Sequence, residues 1–96
     1  MEDKLKQAVL RLQEVELLLA QPEVYADPAR LRALTREQKE LTPVAAAFRE
    51  LQAAQTMQRE AEQMLADPEL RELAREEWRQ ARERQEELSQ ELKLLL

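Results

Sequence analysis

Cysteine, histidine and glycine are all missing from the 96 residues of this chain. Without cysteine and histidine there is no disulfide, no thiolate or imidazole ligand for zinc or haem, no thiol nucleophile and no imidazole acid or base. Without glycine no Gly-rich loop can cradle a phosphate, and the φ > 0 turns that close tight β-hairpins lose their usual residue. Aromatics are nearly missing too, with one Trp, one Tyr and one Phe. No apolar run approaches the ~18 residues that mark a membrane helix, and the N-terminus carries no apolar signal core. A chain without cysteine is at home in a reducing cytosol. These absences predict a cytoplasmic protein with no membrane contact, no cofactor, no metal and no catalysis of its own.

What is present points one way. Ala, Leu, Glu, Gln and Arg dominate, and they are strong helix formers, so the fold class is all-α. The length suits one small domain with a modest core. Twenty acidic against fifteen basic residues leave a net charge of −5. That balance argues against general, non-specific nucleic-acid binding, although it leaves room for a local basic patch.

Two Asp-Pro pairs, Asp27-Pro28 and Asp67-Pro68, punctuate the sequence, because Asp suits an N-cap and Pro the first helical position. They predict three helices over about residues 2–20, 28–66 and 68–96 of a single domain, 1–96. In the first, Leu5, Ala8, Leu12, Val15 and Leu19 make one stripe, widened by Val9 and Leu18. Pro22 ends it, leaving Gln21 to Asp27 as a loop that holds Tyr25. The middle stripe runs from Leu31 and Leu34 through Val44, Phe48, Leu51 and Ala54 to Met64 and Leu65. Pro43 falls inside it. Either the helix ends at Leu41 and restarts with Thr42 as N-cap, or one long helix bends at Pro43. The apolar phase crosses the proline with little slip and favours the second. The last stripe is Leu70, Ala74, Trp78, Ala81, Leu88, Leu92 and Leu95, with Gln85 inserted. Short connections imply antiparallel neighbours, hence an antiparallel three-helix bundle with a long helical hairpin. Trp78 and Phe48 fall on these stripes and are expected in the core. Leu94, Leu95 and Leu96 would leave an apolar patch at the end of the chain unless a following domain covered it.

No catalytic constellation emerges. Ser89 has no histidine to activate it, and the pairs Glu76-Glu77 and Glu86-Glu87 point about 100° apart on a helix, so neither shares a site. Arg71, Arg75, Arg79 and Arg82 alternate with glutamates and read as intrahelical ion pairs. Arg30, Arg32, Arg36 and Lys39 are different. They crowd the start of the middle helix with only Glu37 among them. This is the candidate contact for phosphate or an acidic protein surface.

The order of elements also carries a resemblance. Leu18-Leu19 precede Pro22-Glu23-Val24, Asp27-Pro28 and Leu34. Leu41-Thr42-Pro43-Val44, Phe48-Arg49-Glu50 and Met64-Leu65 follow. The strongest stretch runs from Asp67 to Ala74, then Glu76-Glu77, and the chain closes on Glu91 to Leu96. Singly these are helix punctuation. Together and in order, they resemble the N-terminal domain of bacterial peptide chain release factor 1. The related domain of release factor 2 usually has an aromatic-rich segment where this chain has Pro22 to Asp27.

The resemblance covers the whole chain but only the first quarter or so of such a protein, so it implies a fragment of a larger one. It implies a role in terminating translation at UAA and UAG codons, as an arm reaching the stalk base of the large ribosomal subunit. The partners it implies are rRNA or a ribosomal protein there, a recycling GTPase and the factor's remaining domains. Release factors hydrolyse peptidyl-tRNA through a Gly-Gly-Gln loop, which a chain without Gly lacks, and the codon-reading tripeptide is missing too. The stripes are too wide and too interrupted by Gln38, Gln55 and Gln85 for a coiled-coil seam, so a monomer is expected. The competing reading is a self-associating helical scaffold unrelated to translation.

Overall fold

The computed structural model describes residues 1–96. It is all helical: α1 spans Glu2–Leu19, α2 Pro22–Tyr25, α3 Pro28–Met64 and α4 Arg71–Leu95. The chain forms two compact units, Met1–Ala46 and Ala47–Leu96. The absence of glycine shows in the turns, since no residue has positive φ. Ala20 and Ala26, which close α1 and α2, keep right-handed values near φ −85 and −79. The turns are therefore tightened helix ends, with no left-handed cap.

In the first unit α1 lies antiparallel to the start of α3. Arg11 meets Glu37, while Val15 meets Leu34 further along. Leu5, Leu12 and Val15 are buried as the stripe predicts, with Leu18, Leu19 and Leu31 closing over Val15, Val24 and Leu34. Gln21 to Asp27, expected as a loop, contains a single helical turn instead. Pro22 at its start has φ preset for a helix, and fully buried Val24 ties the turn into the core. The Asp27 carboxylate accepts the Arg30 amide at 3.2 Å, the N-cap bond that starts α3.

α3 runs 37 residues, about 55 Å at ~1.5 Å per residue, with Pro43 inside it. The alternative helix end at Leu41 is not adopted. Proline inside a helix costs about 3 kcal/mol. Val44 and Ala45 are buried directly after it, and so are Ala47, Phe48 and Leu51. Each large side chain of that set contributes about 1.5–3 kcal/mol on burial, so holding the phase outweighs the proline. The Thr42 hydroxyl donates to the Gln38 carbonyl at 2.7 Å in the same turn.

In the second unit the rest of α3 and α4 form an antiparallel hairpin. Gln85 donates to Gln58 Oε1 at 2.6 Å, and Trp78 Nε1 to Glu62 Oε1 at 3.0 Å nearer the turn. The small residues Ala54, Ala61, Ala74 and Ala81 are all buried, with Leu88 and Leu92 filling the far end. Gln85, out of place in the apolar stripe, is half-buried and has found hydrogen-bond partners on α3.

Two expectations are corrected here. Asp67-Pro68 does not start a helix at residue 68. The Asp67 carboxylate takes the amide only two residues on, Glu69, at 2.9 Å, an Asx turn, and α4 begins at Arg71. Trp78 is not core. It is 36% exposed, standing about 60° round α4 from buried Ala81 and about 80° from buried Leu88, on the flank of the stripe, with its Nε1 bonded to Glu62.

Candidate docking surface on the first half of helix α3

At ~100° per residue, Arg32, Arg36 and Lys39 lie within about 60° of one another round α3, with Thr35 beside them. Together with half-buried Leu31, these residues line one shallow, open depression. All three cations are exposed. Arg30 does not line it, standing about 160° round the helix from Arg32. Counting charges along the chain grouped four residues, whereas counting them round the helix groups three. The i, i+4, i+7 spacing of Arg32, Arg36 and Lys39 was the signal that separates them, and Thr35 at i+3 joins the same face.

The electrostatics of this face depend on where its carboxylates go. Glu37 is turned away from it and bound to Arg11 of α1, with bonds of 2.6 and 2.8 Å. The Arg11 hydrogen bond holds the Glu37 carboxyl below the usual carboxylate range, and Arg11 is raised in return. Glu40 lies at the edge of the face and forms no ion pair. No carboxylate oxygen comes within salt-bridge reach of Arg30, Arg32, Arg36 or Lys39. Their charge is not neutralised by an internal partner, and these cations remain available to an external anion.

Three arginines of α4 behave otherwise, whereas Arg71 and Arg82, also expected in intrahelical ion pairs, form none. Arg75 pairs with Glu72 at 2.9 Å, and Arg79 with Glu76 at 2.7 Å and Glu83 at 2.9 Å. Arg84 bonds Glu87 at 3.1 Å and also Glu50 of α3. Hydrogen bonds from Arg79 and then Gln80 hold Glu76 below the usual carboxylate range. Gln58 and Trp78 do the same to Glu62. Arg71 donates to the Leu65 carbonyl at 3.3 Å. With Leu65, Arg75 and Trp78 it borders a second open depression, which sequence reasoning missed by assigning Trp78 to the core.

No group of three or more acidic, His or Cys side chains is placed to hold a metal ion, and no helix is long and apolar enough to cross a membrane. The fold and surface thus define a class: an all-α domain of helical hairpins with a cluster of unpaired cations on one face of α3. The family model of the PCRF domain matches residues 8–96, and no solved structure matches the chain. The chain belongs to that family, as the N-terminal domain of a release factor, and the family takes part in translation termination.

Proposed function

We propose that this chain is the non-catalytic docking domain of a cytoplasmic release factor acting at UAA and UAG codons. It helps position that factor on the ribosome, at the stalk base of the large subunit. One observation supports the docking role: in a net-acidic chain, Arg32, Arg36 and Lys39 share a face and none has a carboxylate partner. Arg30 adds a fourth unpaired cation at the start of the same helix. The preference for release factor 1 over release factor 2 rests on Pro22 to Asp27, where Tyr25 is the one aromatic. Hydrolysis is assigned to another domain of such a factor, since this chain has no Gly for a Gly-Gly-Gln loop, and so is codon reading, since the codon-reading tripeptide is missing.

Cosedimentation with purified ribosomal subunits tests the docking role. The 96-residue chain should travel with large and not small subunits at roughly 50 mM salt, and should be released towards 200 mM. Charge reversal at Arg32 and Arg36 should weaken the association. If the wild-type chain stays at the top of the gradient at low salt, the reading is wrong.

A second reading, self-association, has its own support. Leu10 and Leu17, one heptad apart on α1, are 58% and 70% exposed. Light scattering separates the two. The docking reading expects a monomer up to high concentration, while a mass that doubles, and reverts in Leu10→Glu, favours the scaffold.

A further inference from the structure

We propose that the Arg32–Lys39 face of α3 takes the phosphate backbone of a folded RNA, without reading its sequence. The proposal rests on the docking reading above and names the partner of that same surface. Either phosphate or an acidic protein could answer to three unpaired cations, so the rest of the face must decide. Specific protein interfaces are built round a desolvated apolar or aromatic anchor, ringed by polar groups. This face has none. Leu31 at its edge is half-buried already, and beyond Lys39 it continues as exposed Thr42, Pro43 and Ala46. The large exposed apolar side chains are on other parts of the chain, among them Leu10, Leu17, Leu73 and Trp78. Beside Trp78, where an apolar anchor does exist, Arg75 is paired with Glu72 and Arg71 donates to the Leu65 carbonyl, while Arg82 one turn further on forms no ion pair. The Arg32–Lys39 face differs from that surface in having charge and no aromatic anchor.

Two exposed guanidinia, an ammonium and the Thr35 hydroxyl form a donor set without an apolar centre, and such a set suits phosphate oxygens. Along α3 the three cations cover about 10 Å at ~1.5 Å per residue, enough for several phosphates of one strand. The face carries no aromatic, so unstacked bases would find no platform. That excludes single-strand base reading and leaves backbone contact with a duplex. Glu37, the one carboxylate within the basic run, is held off by Arg11. The acidic remainder of the chain limits contact to this face.

Anisotropy titrations of the 96-residue chain decide it, using dye-labelled poly(A)·poly(U) duplex and protein-free large-subunit rRNA, with intact large subunits alongside. Both RNAs should bind, with a log–log salt slope of about −3, at about −0.9 per phosphate neutralised. Arg32→Gln, Arg36→Gln and Lys39→Gln should each flatten the slope by about 1, whereas Arg75→Gln should not. Circular dichroism of each variant, with unchanged helix content, keeps misfolding out of the comparison. If intact subunits bind through these residues but neither RNA does, the partner is a ribosomal protein; the phosphate inference falls and the docking reading stands. RNA binding through these residues without subunit binding upholds the phosphate inference and overturns the docking reading. RNA binding indifferent to all three substitutions overturns the assignment of this face.

Discussion

Arg11 and Glu37 are the clearest case of one pair doing two things. Their two hydrogen bonds tie α1 to α3, and they take the only carboxylate of the basic run out of play. Because Arg11 lowers the folded-state pKa of Glu37, the stability it adds is complete above the unfolded value, roughly pH 4.3. It is lost as pH falls through the depressed folded value. Glu37→Gln should therefore lower the Tm at pH 7 and flatten the loss of Tm on acidification, measured calorimetrically from pH 7 to pH 3. An unchanged acid limb would show that the pair adds nothing. The cores make a simpler prediction. Leu88 is 1% exposed and Leu94 is 88% exposed. Leu88→Ala should cost about 2–5 kcal/mol in urea unfolding, and Leu94→Ala almost nothing. Spacing alone identifies Leu88 as core, but it also put Trp78 there. Trp78 sits on the flank of the α4 stripe, about 80° round the helix from Leu88, and spacing read residue by residue does not separate the flank from the centre.

Helix α3 shows how an element survives a residue that should break it. Pro43 removes the amide that would bond the Lys39 carbonyl, yet the helix runs unbroken from Pro28 to Met64. If burial on both sides of the proline holds the helix against its preference, Pro43→Ala should stabilise the chain, by about 1–3 kcal/mol in urea unfolding. A helix that ended at Leu41, with Pro43 at its N1 position, would show no gain or a loss. The two Asp-Pro pairs teach the opposite lesson. The same dipeptide caps α3 through the amide three residues on, and ahead of α4 makes a turn through the amide two residues on. Local chemistry offers both bonds, and the packing around each turn selects one.

For the whole molecule, net charge is a weaker guide than the distribution of charge. Glu40→Gln and Glu86→Gln change the net charge equally, but only Glu40 borders the Arg32–Lys39 face. Glu40→Gln should tighten binding to large subunits several-fold and Glu86→Gln should leave it within error, read from the same sedimentation assay. Equal effects would mean that overall charge, and no particular face, governs the association. All-α class, the punctuation at Asp27-Pro28 and the run of family residues were determined by the sequence alone. They depend on propensity, capping and order along the chain, which are local properties. Only the tertiary structure decided that Trp78 lies outside the core and that Gln85 is satisfied by α3. It also decided that Glu37 belongs to Arg11 while its basic neighbours have no partner. Those outcomes depend on which side chains meet across helices, and the distance between two helix axes is set by packing that no single stripe records.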